Sequence, residues 1–193
     1  MTQGKRCARA LFALFAFGAF AAPLTAVAQS PRPAQEERES DGADDFDWEI
    51  GSWNTVVRVR APLDANAAWT EFRGTSVIQG MQEGRANYVD LDVRNGDRRI
   101  EGISLRLYNP QTGQWSLNFA SMRDGLLTAP VYGGFENGRG VFFGTDTVDG
   151  RVVLVRFVIS DITPTSARFV QSYSADAGAT WIDNWIATDA QAY

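Results

Sequence analysis

From Gly51 to Thr188 apolar and polar residues alternate in short runs separated by turn signals. Trp115, Leu117 and Phe119 alternate with Ser116, Asn118 and Ala120. Val153, Val155, Phe157 and Ile159 share one face, opposite Arg156, and Phe169, Gln171 and Tyr173 alternate with Arg168 and Ser172. A period of two marks a half-buried strand, and no stretch keeps a helical period for longer than a turn. The pattern predicts strands over 53–60, 69–79, 86–94, 98–108, 114–122, 131–136, 139–148, 151–160, 166–174 and 180–188.

Between these runs lie residues suited to tight turns. Asn95-Gly96, Asn137-Gly138 and Asp149-Gly150 are signals for two-residue hairpins. Asn109-Pro110-Gln111-Thr112-Gly113, Arg123-Asp124-Gly125 and Asp161-Ile162-Thr163-Pro164 separate the other runs. Short strands joined by hairpins imply an all-β fold: an up-and-down antiparallel β-barrel of about ten strands without lid helices. Closure removes the edges that an open meander would expose. One strand changes phase. Ile100 is apolar at an even position, while Ile103, Leu105 and Leu107 are apolar at odd ones, so a bulge or barrel corner is expected at Gly102.

The residues before the barrel read differently. Lys5, Arg6 and Arg9 precede the uncharged apolar run 10–22, and Ala26-Val27-Ala28 has the form of a cleavage site. A signal peptide over 1–28 is expected, hence an exported protein of the periplasm or the extracellular space. The apolar run is shorter than the ~20 residues of a membrane span. Residues 29–45, with Pro31, Pro33 and the run Gln35–Asp41, read as a flexible acidic tail. Residues 46–193 then form a single domain.

Charge and residue types exclude more than they assign. Removing the three cations of the signal from 18 Lys+Arg and 23 Asp+Glu leaves a net charge of −8. Such a chain repels phosphate backbones, so a nucleic-acid partner is not expected. After the signal there is no His, Lys or Cys. A Ser-His-Asp triad, a thiolate nucleophile, a Schiff-base lysine and soft-metal or haem ligation are therefore excluded. No cofactor and no metal ligand set is assigned, only hard cations such as Ca²⁺ being compatible with the oxygen donors present.

Gly51-Ser52-Trp53 at the first strand resembles the opening of the lipocalins and their relatives, the calycin barrels. The resemblance implies that Trp53 packs across the closed end, with Trp48 of Asp47-Trp48-Glu49-Ile50 adding to that plug. No helix follows the last strand, as one does in lipocalins, and 61–68 is too short for the lid of fatty-acid-binding proteins. The chain looks most like lidless ten-stranded barrels of the nitrobindin type, without the histidine that holds haem there. It also resembles exported bacterial proteins with a Trp-Glu-Ile-Gly-x-Trp opening and a closing Gly-x-Thr-Trp. Ser174-Ala175-Asp176-Ala177-Gly178-Ala179-Thr180-Trp181 matches the Asp-box of sialidases. A single copy implies a hairpin staple and not a propeller.

Candidate site residues follow from the strand faces. A last hairpin centred on Ala177 would set Tyr173 opposite Trp181, Gln171 opposite Asp183, and Phe169 opposite Trp185. Gln171, Tyr173, Asp183 and Trp185, with Trp115, Phe119 and Phe157, are the expected ligand-binding residues of the lumen. The same residues equally suit a packed core in which Gln171 and Asp183 satisfy each other. A second group is charged. An Asn95-Gly96 turn would set Asp92 opposite Arg99 and Asp90 opposite Glu101, on a face expected to be solvated. Arg106 either reaches a ligand carboxylate or faces outward.

The function these features suggest is that of a monomeric barrel binding a small, largely apolar molecule. Two other classes stay open: a carboxylate-dependent hydrolase, isomerase or dehydratase, with no catalytic residue assigned, and an envelope interaction module.

Overall fold

A computed structural model describes residues 41–192; the expected signal peptide and residues 29–40 of the expected tail lie outside them. The chain forms β1 (Gly51–Val59), β2 (Thr70–Met81), β3 (Ala86–Asn95), β4 (Arg98–Asn109), β5 (Gln114–Ser121) and β6 (Leu126–Leu127). It continues with β7 (Val131–Glu136), β8 (Arg139–Val148), β9 (Arg151–Thr163), β10 (Ser166–Ser174) and β11 (Ile182–Gln191). All neighbours are antiparallel, β1 pairs with β11, and β4 pairs with β5, so ten strands close into a barrel. The two-residue β6 is an extra pairing along β5 that the periodicity does not reveal. Two single-turn 3-10 helices, Asp47–Glu49 and Gln82–Gly84, are the helical elements among the described residues. Neither is long and apolar enough to cross a membrane.

The hairpins explain the registers. Asn137-Gly138 and Asp149-Gly150 hold positive φ at both central residues, as a type I′ turn requires. The β3–β4 turn instead uses Gly96-Asp97, with Asn95 still paired to Arg98. Gly96 supplies the positive φ, while the Asn95 amide donates to the carbonyl of Glu71 on β2 at 2.7 Å. The expected pairing is thereby displaced: Asp92 lies opposite Glu101, and Asp90 opposite Ile103. Arg99 still reaches Asp92 diagonally at 2.7 Å and Glu101 at 2.8 Å, on an exposed face.

β4 contains no bulge. Its pairing with β3 runs unbroken through Gly102, and its pairing with β5 runs unbroken from Gly102 to Asn109. The strand therefore keeps its phase, and the apolar switch is one of composition. Ile103 and Leu107 face outward and are exposed, while Gly102, Arg106 and Tyr108 face inward and are buried. Gly102 is required for another reason. A Cβ there would sit 2.3 Å from Cζ of Phe119, whose ring lies over the glycine.

One end of the barrel is plugged by the segment leading into β1. Trp53 is buried, its indole N–H donating to the carbonyl of Glu49 at 2.6 Å, with Trp48 packed edge-on to it. The expected closed end is thus present, but its centre is Phe46. That ring packs edge-on against Trp115 at 4.9 Å and against Phe135 at 5.0 Å. Residues 41–45, assigned to the tail by composition, form turns held to the barrel. Tyr108 donates to the carbonyl of Asp41, and the Trp115 indole donates to that of Gly42 at 2.8 Å.

The Asp-box turn is the expected staple. Asp176 accepts from the Thr180 N–H at 2.9 Å and its hydroxyl at 2.6 Å, and Ser174 Oγ accepts from the Gly178 N–H. The Thr180 donors, helped by the Ser174 hydroxyl, hold the Asp176 carboxyl down at about 2.

Candidate ligand cavity

The lumen above the plug encloses a cavity of about 300 Å³. An eight-stranded barrel already has room for side chains or one small ligand, and two more strands widen the interior. The cavity has a polar floor, an apolar belt and a rim.

The floor lies next to the plug. Glu49, in the 3-10 turn before β1, is buried and ion-paired with the inward Arg106 of β4. The pair is two-pronged: one guanidinium nitrogen donates to Oε2 and the other to Oε1 at 3.3 Å. The guanidinium also lies 4.4 Å from the centre of the Phe46 ring. The outward alternative for Arg106 is thus overturned, because β4 keeps its phase. Thr55 of β1 donates to Asp189 of β11 at 2.6 Å, and its hydroxyl bonds that of Ser76 on β2 at 2.7 Å. Burial pushes the Asp189 carboxyl up to about 6; the Thr55 bond and Arg106 pull against that rise, and the charge of Glu49 adds to it.

The belt is built from inward positions of the alternating strands. Val57, Leu91, Leu117, Phe119, Phe157 and Phe169 line it, with Trp185 toward the open end. Phe157 packs edge-on to Phe169 at 5.0 Å, and Trp185 leans on Phe119 at 6.5 Å. At the rim, Tyr173 donates to Asp146 at 2.7 Å; burial and this bond raise the phenol above its ordinary value. Thr128, Ala129 and Thr145 line the cavity here and are exposed. β7 starts only at Val131 and pairs with β8 up to Phe143, so residues 144–148 of β8 have no paired strand on that side among the described residues.

Five of the seven expected residues, Phe119, Phe157, Gln171, Tyr173 and Trp185, line this cavity. Trp115 does not, since it starts β5 at the plugged end and packs on Phe46. Asp183 does not either, because a bulge between Gln171 and Ser172 changes the register. Gln171 lies opposite Trp185, Tyr173 opposite Ile182, and Phe169 opposite Ala187. Asn184 is the extra residue of the bulge and accepts from the Gln171 amide at 3.2 Å. Asp183 is left beside Ser172, whose hydroxyl donates to it at 2.7 Å. Trp181 stays in the turn, under the guanidinium of Arg156 and beside Phe143.

Glu49 and Asp189 were not expected in the lumen. Glu49 precedes the first strand, where no period assigns a face. Asp189 lies past the last predicted strand, but β11 runs to Gln191 and its alternation from Trp185 through Ala187 leads directly to it.

No protein-family model matches the chain, and no curated protein matches it. Among solved structures, an S-type phycobiliprotein lyase from Guillardia theta is similar with a TM-score of 0.54 at 12% identity, over 77% of this chain and 90% of that one. A de novo designed fluorescence-activating β-barrel aligns over 77% of this chain and 98% of its own, at 12% identity and a TM-score of 0.42. A Nostoc punctiforme protein of the DUF3598 family aligns over 78% and 99%, at 7% identity and a TM-score of 0.22. The likeness to the lyase is one of fold alone: both chains share the closed antiparallel β-barrel.

Proposed function

We propose that this protein is an exported barrel that binds one small, largely apolar molecule in its lumen. The observation that carries the reading is the cavity of about 300 Å³, with an aromatic and aliphatic belt over a buried polar floor. Ligand sites commonly start near this size and combine apolar walls with a few placed polar groups. The floor lies at the plugged end, so a molecule entering from the rim carries its apolar part in the belt and its polar head toward Asp189 and Arg106.

Native mass spectrometry of protein purified from its own source tests the reading. A single co-purifying small molecule is expected, lost in Ala187→Phe, which fills the belt from β11. A wild-type protein that is empty and also fails to take up apolar probes overturns it. Export is part of the proposal, and N-terminal sequencing should find a mature chain starting at Gln29.

A second reading rests on Asp189. A carboxyl titrating near neutrality inside a cavity can give and take protons. On that reading Asp189→Asn abolishes a turnover that Glu49→Gln only weakens.

A further inference from the structure

We infer that the head of the bound molecule is a basic nitrogen, held as a cation against Asp189, and that the cavity rejects carboxylates. The inference rests on the lumen being the binding site. Its basis is the charge of the lining. Glu49, Asp146 and Asp189 line the cavity, and Arg106 is the one basic residue among the described lining side chains. Arg106 is already engaged by both oxygens of Glu49. An arginine so neutralised does not serve as the anchor for a ligand carboxylate unless the buried pair is broken, which strands a charge. Among the described residues, the other two carboxylates of the lining, Asp146 and Asp189, have no ion-paired cation.

Of these two, Asp146 is at the rim and takes the Tyr173 hydroxyl. Asp189 is deeper. Its neighbours are Thr55 on β1, Ser76 beyond it on β2, Ala167 opposite it on β10, and the Glu49–Arg106 pair at the floor. Glu49 and Arg106 are the charged groups acting on it, and they oppose each other. Thr55 is its one side-chain donor among the described residues. An ionised carboxylate in such a place is short of a partner, which is why burial moves its titration to about 6. An ammonium delivered from the belt supplies the missing charge and donates to the Asp189 carboxylate, one oxygen of which already accepts from Thr55. A carboxylate delivered to the same point meets the charge of Asp189, and although the Arg106 Nε–H has no partner among the described residues, the charge of Arg106 is already paired with Glu49.

The test uses three probes of one length: octylamine, 1-octanol and octanoate, titrated by calorimetry against the full mature chain. Octanol presents the same apolar chain with an uncharged head. At about pH 8 octylamine is expected to bind at least tenfold more tightly than octanol, about 1.4 kcal/mol, with octanoate weakest. The octylamine advantage should fall about tenfold by about pH 5, as Asp189 gains its proton, while octanol binding stays level. In Asp189→Asn octylamine and octanol should bind equally at both pH values; the pH series in the wild type stands by itself if that variant does not fold. Equal binding of amine and alcohol, or octanoate binding tightest, overturns the inference and leaves the binding function standing. Failure of all three probes to bind overturns the binding function and the inference with it.

Discussion

The two ends of this barrel are made from the same ten strands and differ in how their interior groups are satisfied. At the plugged end every large ring has a ring or a carbonyl to meet. Phe46 touches Trp115 and Phe135, while Trp53 and Trp115 donate to the backbone of the segment that covers them. At the open end the rings of Phe119, Phe157 and Trp185 border a void. A ring facing a void has no partner atoms on that side and forgoes the dispersion attraction that the plugged end keeps. The difference teaches that the segment before β1 carries stability, while the opposite half of the same sheet is left unfilled.

Substitutions should separate the ends. Trp53→Ala is expected to have the largest effect, a loss of about 3–5 kcal/mol in a denaturant melt, as for other large truncations in packed cores. A loss below about 1 kcal/mol would place Trp53 outside the core. Arg106→Met should cost about 3 kcal/mol, because Glu49 is left buried and unpaired. Adding Glu49→Gln to it should recover part of that loss. A double mutant no better than the single would show that the pair is not the cause.

Asp189→Asn should act in the opposite direction, and with a defined pH dependence. Its carboxyl titrates higher folded than unfolded. The proton-linked stability is therefore complete below the unfolded value of about 4 and is lost as pH rises through about 6, about 3 kcal/mol for a two-unit shift. The variant removes that loss. It should be more stable than wild type at about pH 8, with the difference shrinking toward about pH 4. A melt in which the two chains differ equally at both ends of that range contradicts the assignment.

Trp185→Phe, on the open side, should cost less than about 1.5 kcal/mol, since the ring borders empty space and a similar ring remains. It should weaken ligand binding more than it weakens folding. Asp92→Asn should be the mildest change. Asp92 is held low, at about 2, by its bonds to Arg99 and Arg94, but on an exposed face. Water screens such pairs, and the denaturation midpoint should not move.

Much of the barrel was legible because turn chemistry and alternation agree along most of the chain. Every predicted strand exists, since Gly, Asn and Asp at the hairpins leave few other ways to reverse direction. The errors came where a local rule met a neighbour. Alternation in β4 pointed Leu105 and Leu107 inward, but the paired strands β3 and β5 fix the phase of β4 and turn Arg106 in. The hairpin rule put Gln171 opposite Asp183, and a single extra residue, Asn184, undid it. Such a bulge has no marker in the sequence. The plug was only half readable: Trp53 carried a motif, while Asp41 to Asp45 read as part of the solvated tail because the run is acidic and holds no large apolar residue.

The central claim is that the open half of the lumen, and not the outer wall, takes up a molecule. The most direct measurement is a methyl and amide NMR titration of the mature chain with 1-octanol. Shifts should concentrate at Val57, Leu91, Val155 and Ala187, which line the cavity, and leave Leu107 and Phe143 on the exposed outer face unmoved. Saturable shifts confined to Leu107, Tyr132 and Phe143, with the inward methyls still, would contradict it.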